Sequence, residues 1–219
     1  HESDQQNSME KSGVSVIERL QRCGILGPAT IAAHCVHIDA AEVALLEETG
    51  TWVTHQPRSN MNNAVGVADV DELLRRGVRV ALGNDGFSNN MWAEWKTAYL
   101  LHKVWQRDPR SADGDSIIEM AVRHSSALAT QFFPAAPLGV LSAGAQADII
   151  FVDYHPTTPL TAANLPWHIL FGFEASMVDT TFCAGKVLMR NRELLTLDEE
   201  DITARSRELA DGVWKRFSG

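Results

Sequence analysis

The chain holds only three cysteines in 219 residues, Cys23, Cys35 and Cys183. They are odd in number, widely spaced and include no CxxC pair. That excludes a disulfide framework and a cysteine-held zinc, and it fits a reducing, cytoplasmic compartment. There is no uninterrupted apolar run of membrane length, no signal-peptide pattern and no low-complexity tract, so no membrane partner is expected. An excess of positive charge is also missing. A net charge of -9 and a pI of about 5.3 speak against nucleic acid and anionic lipid as partners. An initiator methionine is absent too: the chain opens at His1-Glu2-Ser3-Asp4, a polar stretch that leads onto a helix, and it reads as a fragment. What is present is ordinary globular material, 45% hydrophobic and 21% charged, enough for one large domain.

Apolar and polar runs alternate along the first 85 residues. A helix is expected from about Val14 to near Gly24, then a short apolar strand over 30–35. That strand does not alternate, so it is expected to be buried on both faces, as in a parallel sheet. Asp39 can cap a helix that Thr49-Gly50 ends. Trp52-Val53-Thr54-His55 reads as a second strand, followed by a loop over 56–63. A helix over 69–76 leads into a third strand, 78–83. Helix–strand–helix–strand–helix–strand with short connections is the pattern of a parallel α/β array, which right-handed crossovers can close into a barrel. Further on, Met91–Trp105 and Ser116–Phe132 read as two amphipathic helices. Strand-like runs follow at 147–152 and 178–189, the second turning at Ala184-Gly185-Lys186, and a helix closes the chain from about Asp198.

Each of the three early strands ends on a group able to do chemistry: His34, His55 and Asp85. Residues at strand C-termini of a parallel barrel converge on one mouth. Two imidazoles and a carboxylate there could bind a divalent metal and activate its water. Taken singly, each has a plainer reading. Asp85, in Leu82-Gly83-Asn84-Asp85-Gly86, could be a turn or helix cap, and a lone histidine is more often a packed one. Three successive strands ending this way favour a site. His102, His124 and His155 are assigned to helices or a loop away from the strands, as surface or core residues, and His37 to packing. The apolar run around His168 is read as a helix packed on the barrel.

Three segments in order carry a resemblance: Ala33-His34-Cys35-Val36-His37-Ile38, then Val53-Thr54-His55-Gln56-Pro57-Arg58-Ser59-Asn60-Met61, then Ala81-Leu82-Gly83-Asn84-Asp85-Gly86. Together they resemble the amidohydrolase superfamily, in its cytosine-deaminase/chlorohydrolase group. Leu138 to Ile149 and the Val178 to Val187 hairpin resemble that group's small β-domain. The 59–63 and 85–91 loops look most like an aminohydrolase subgroup linked to selenium metabolism.

The resemblance implies an α/β fold: the later half of a TIM-like (β/α)8 hydrolase barrel, residues 1–133, with the C-terminal part of a small β-sandwich over 134–195. It implies an inserted helix at about 162–173 and a terminal helix over 196–219. It implies Asp85 as metal ligand and proton shuttle, and His34 as a group that contacts the activated water or shares the metal. His55, Ser59, Asn60, Ser88 and Asn89 are implied to shape the substrate pocket. The cofactor implied is a divalent metal, zinc before iron. The chemistry implied is hydrolytic deamination of a nitrogen heterocycle (purine, pyrimidine or triazine) by metal-activated water, with C–Cl hydrolysis as an alternative.

The resemblance is also incomplete. The family's HxH ligand motif occurs nowhere in the chain, and His1-Glu2-Ser3-Asp4 only imitates its HxxE motif. On the family's spacing to Gly13, His1 is a loop residue beyond a lost HxxE and a weak ligand candidate. The expected partners are therefore a heterocyclic small molecule, a missing N-terminal half of the same protein and, for the assembled protein, a second copy. The competing expectations are an inactive fragment or half-protein short of metal ligands, or a binding protein on an inherited fold.

Overall fold

A carboxylate that can turn back on its own helix starts the chain. Asp4 turns back to the His1 backbone nitrogen at 2.7 Å, and the His1 ring accepts from the Ser3 amide, forming a capping box for helix α1, Glu2–Ser12. The polar opening is thus helical from Glu2, and His1 lies just outside it as its cap. Gly13 ends α1 in the left-handed region (φ 70°), so the expected helix begins only at α2, Val16–Arg22. The structure, a computed structural model, describes residues 1–217. The final two residues of the expected 196–219 segment lie outside them.

Strand β1, Ile31–Ala33, is followed by α3, Ala40–Thr49, where Asp39 and Glu42 form a second capping box. Next come β2, Trp52–His55, and α4, Pro57–Asn62. The expected loop over 56–63 is therefore mostly one short helix. Pro57 stands at its first turn, where a missing N–H costs nothing and φ is already helical. Helix α5, Val70–Arg75, leads to β3, Val80–Leu82. The three strands form one parallel sheet in the order β1-β2-β3.

Only part of the sheet is buried as a parallel sheet should be. Trp52, Val53 and Val80 are fully enclosed, and Val53 and Val80 share one core cluster with Leu46, Val70 and Leu73. Each such side chain contributes about 1.5–3 kcal/mol of transfer free energy. β1 does not follow: Ile31 is 45% exposed. It lies at the sheet edge with a neighbour on one side only, so the expectation of two covered faces fails there.

Helix α6, Met91–Gln106, is followed by α7, Gly114–Ile118, a π-helical stretch over Glu119–His124, and α8, Ser125–Phe132. The expected single helix over 116–132 is thus interrupted. Within the widened turn, His124 Nδ1 lies 3.2 Å from the Val80 amide and 3.0 Å from the Val80 carbonyl, on the free edge of β3. His124 therefore touches a strand directly, contrary to the sequence expectation.

By contacts the chain forms two compact units. The first comprises 1–145 with 156–175, the second 146–155 with 176 onward. The expected boundary at 133/134 is displaced. The Leu138 amide donates to Thr130 Oγ1 at 3.0 Å and Ser126 Oγ donates to the Leu138 carbonyl, tying the connection to α8. Helix α9, Leu165–Gly172, also belongs to the first unit, with Leu170 in its core and the Trp167 ring against Gly114, where a Cβ would come within 2.9 Å.

The second unit holds a four-stranded antiparallel sheet: β4 (Ile149–Val152), β5 (Val178–Cys183), β6 (Lys186–Arg190) and β7 (Glu193–Leu194). Ala184 and Gly185 turn β5 into β6 with positive φ at both positions (50° and 77°), the twist that two-residue hairpins favour. Helix α10, Glu199–Phe217, follows. The fold is α/β, with the alternating strand–helix order and parallel sheet of part of a (β/α) barrel.

Candidate functional site

Backbone geometry at the strand ends differs from that within the strands. His34 (φ 69°), Cys35 (φ 46°) and Asp85 (φ 49°) all lie in the left-handed region, where residues with a Cβ are disfavoured. Both chain reversals lie at the C-terminal edge of the sheet, at His34 and Asp85. Gly83 makes room for this: a Cβ there would stand 3.1 Å from Gln56 Nε2. The same Gln56 side chain accepts from the His34 amide at 3.1 Å and donates to Thr54 Oγ1 at 2.6 Å.

Asp85 Oδ2 accepts from Ser59 Oγ at 2.6 Å and lies 3.7 Å from His34 Nε2. On the other side of that ring, His34 Nδ1 meets Asn60 Oδ1 at 2.8 Å. That contact places Nδ1 on Asn60 and leaves Nε2 as the ring nitrogen that faces the carboxylate. An imidazole nitrogen and a carboxylate oxygen face each other across 3.7 Å, an arrangement that suits a cation or a proton between them. Asn60 is itself buried, and its Nδ2 has no partner.

His34, Asn60 and Asp85 share one wall of a cavity of about 470 Å³, whose other walls include Gln5, Ile17, Leu20 and Val65. His1 lines it too, its ring 6.4 Å from that of His37, which bonds the Val65 carbonyl at 2.6 Å. Ser59 stands behind Asp85. The other expected pocket residues are not among the lining. Ser88 Oγ accepts from Arg58 Nη1 at 3.2 Å, and Asn89 Oδ1 accepts from Asn84 at 2.8 Å, so both are engaged within their loop.

His55 is fully enclosed and faces not the cavity but His102, with the two Nε2 atoms 3.1 Å apart. Burial, then the neighbouring His102, then His34 push the His55 imidazole down to about 3. Burial also lowers His102. Both rings are therefore neutral, one donating and the other accepting. Burial, with Glu42 nearby, pushes the Cys35 thiol up to about 12, so it is an inert thiol beside His34.

Sequence reasoning missed the partner of His55. A signal was present, because Trp95, Ala98 and His102 repeat at helical spacing on the buried stripe of α6. It also missed the ion pair between Arg58 Nε and the enclosed Glu94, at 2.6 Å.

The donor chemistry at His34 and Asp85 suits a divalent ion, an imidazole lone pair and a carboxylate oxygen within reach of one centre. Among the described residues, no three His, Cys, Asp or Glu side chains gather into a metal-binding group. Nor is any helix among them long and apolar enough to cross a membrane.

Residues 1–188 match the profile of the amidohydrolase family. The chain is 34% identical over 215 residues to a 5-methylthioadenosine/S-adenosylhomocysteine deaminase of Dictyoglomus thermophilum, covering 96% of this chain and 50% of that protein. It is 35% identical over 212 residues to a 5'-deoxyadenosine deaminase of Methanosarcina acetivorans, covering 94% and 48%. Among solved structures it superposes on an adenosine deaminase from Xanthomonas campestris with bound zinc, with TM-score 0.83, 26% identity, and 97% and 49% of the two chains covered. It also superposes on a variant of the atrazine chlorohydrolase of Arthrobacter aurescens in complex with zinc, with TM-score 0.79, 21% identity, and 94% and 46% covered. The chain spans about half the length of the curated relatives it matches.

Proposed function

The chain belongs to the amidohydrolase family, and from that premise we propose that it carries one wall of a hydrolytic deaminase site for an amino-substituted purine, in an adenosine-type compound. One observation carries the reading. At the mouth of a parallel sheet, a carboxylate held by Ser59 faces an imidazole nitrogen across 3.7 Å. The deaminase relatives at 34–35% identity support deamination over C–Cl cleavage, since the chlorohydrolase likeness, at 21%, concerns fold alone.

His34 Nε2 and Asp85 Oδ2 would hold the divalent ion, zinc by analogy with the metal in the solved adenosine deaminase. Once bound, such an ion lowers the pKa of a water from 15.7 to about 7 and so makes hydroxide available at neutral pH. The chain's own residues do the rest. Asp85 takes the proton of the attacking water on its other oxygen, Oδ1, and hands it to the departing amine, which leaves as ammonia. Ser59 keeps the carboxylate oriented through Oδ2, and Asn60 orients the His34 ring. The three free cysteines suit a cytoplasmic setting.

Two ligands fall short of the three typical of catalytic zinc. In this reading the remaining donors come from the half of the relatives' length that the chain does not cover. The test compares the 219-residue chain with a longer one that restores that half. Metal content and ammonia release from adenosine, 5'-deoxyadenosine and a triazine are measured in parallel. Stoichiometric metal and purine deamination in the longer chain alone are expected. Full metal occupancy in the short chain would contradict the shared-site reading, and triazine turnover without purine turnover would overturn the substrate class.

A further inference from the structure

One side chain ties together the three segments that surround Asp85. Arg58, on α4, donates from Nε to Glu94 Oε1 at 2.6 Å, while its backbone amide reaches Glu94 Oε2 at 3.3 Å. Its other two nitrogens cross to the loop after β3: Nη1 to Ser88 Oγ at 3.2 Å, and Nη2 to the Ser88 carbonyl at 2.7 Å and the Asn90 carbonyl at 3.4 Å. The guanidinium also stands 5.1 Å from the centre of the Phe87 ring. Glu94 is fully enclosed and the Arg58 side chain is 15% exposed, so the pair is shielded from water at its core.

The loop it holds is otherwise poorly anchored. Residues 85–89 are all exposed, and Asp85 sits in the left-handed region. The loop's own bonds, Asn84 to Phe87 and to Asn89, close it on itself and tie it to no other element. Between Asp85, held by Ser59, and Asn90, which caps α6, Arg58 supplies the link outward. The next residue along α4 is Ser59, whose hydroxyl holds Asp85 Oδ2 at 2.6 Å. Arg58 and Ser59 therefore grip the two sides of one reversal, the loop and the acid. A planar fork with donors in fixed directions can bridge a carboxylate and two carbonyls at once, and a lysine ammonium cannot.

The geometry points to Arg58 as a positioning residue. Anchored on Glu94, it clamps the 86–90 loop against α4 and α6 and so keeps Asp85 in register with Ser59 and His34. The catalytic part of this inference rests on the deaminase reading; the clamp itself does not.

The test uses the longer, metal-loaded chain with three variants: Arg58→Met, Arg58→Met/Glu94→Gln and Arg58→Lys. The double variant leaves no unpaired buried charge and covers the case in which Arg58→Met alone fails to fold. Hydrogen exchange of residues 86–90 reads the clamp, and kcat and KM for an adenosine-type substrate read its consequence. In the double variant, exchange in the loop should quicken by at least about tenfold, the scale of one lost charged hydrogen bond. Its kcat should fall by about 100-fold, the cost of displacing a reacting group by about 1 Å, with KM changed less than about threefold. Arg58→Lys should recover only a small part of either loss.

Unchanged loop exchange in a folded double variant overturns the clamp, whatever the activity. Faster exchange with unchanged kcat overturns the positioning role. Faster exchange in a chain whose unaltered form deaminates nothing upholds the clamp and counts against the deaminase reading instead.

Discussion

His55 Nε2 and His102 Nε2 lie 3.1 Å apart inside the protein, and neither ring reaches water. The two residues are 47 positions apart, one at the end of β2 and the other on α6. Their bond requires one proton between two neutral rings. Charging either would place a cation in an enclosed site beside a second imidazole.

That pair makes the fold acid-sensitive in a defined window. The folded-state value of His55 is depressed to about 3 from an ordinary 6.5, so the unfolded chain binds more protons between those limits. Stability is therefore full above about pH 6.5 and falls as the pH drops toward 3, by up to about 1.4 kcal/mol per pH unit for one proton. Urea unfolding of the intact chain across this range should show the fall, and His55→Gln should flatten it. An equal slope in both proteins would remove His55 as the cause.

The tautomer of His34 can be read without any assay of turnover. Its Nδ1 faces Asn60 Oδ1 at 2.8 Å, so nitrogen-15 NMR should show the proton on Nδ1 and a bare Nε2. Asn60→Leu should abolish that preference. A proton found on Nε2 in the unaltered chain would mean that the lone pair does not face Asp85.

Replacing Asp85 by Asn in the longer, metal-competent chain should lower kcat by about 1000-fold or more, since a group that both accepts and returns a proton is lost. Ser59→Ala removes one charge-assisted hydrogen bond at 2.6 Å and should cost about tenfold in kcat/KM. Near-normal turnover by Asp85→Asn with metal bound would end the assignment of the acid.

Packing predicts a sharp contrast between two leucines. Leu46 is wholly buried under the sheet, and Leu46→Ala should destabilise by about 2–5 kcal/mol. Leu100 is 57% exposed on α6, and Leu100→Ala should stay within about 0.5 kcal/mol. Paired denaturation curves check both.

The parallel order of strands and helices was legible in the sequence, because apolar runs, capping acids and helix-ending glycines are local signals. So was the convergence of His34 and Asp85, since side chains at successive strand ends of such a sheet come to one edge. Element boundaries were less legible. Helix α1 depends on a capping box formed by the first four residues. The π-helical turn over 119–124 brings His124 to Val80, a contact 44 positions away.

By itself, then, the sequence determined the fold class, the family likeness and the acid at the end of β3. Only the tertiary structure decided what each polar side chain meets. It turned His55 away from the cavity toward His102, engaged Ser88 with Arg58, and set Arg58 on Glu94. These are contacts between residues 30 to 47 positions apart. No local pattern encodes them, because the partner of a buried polar group is chosen by the packing that excludes water around it.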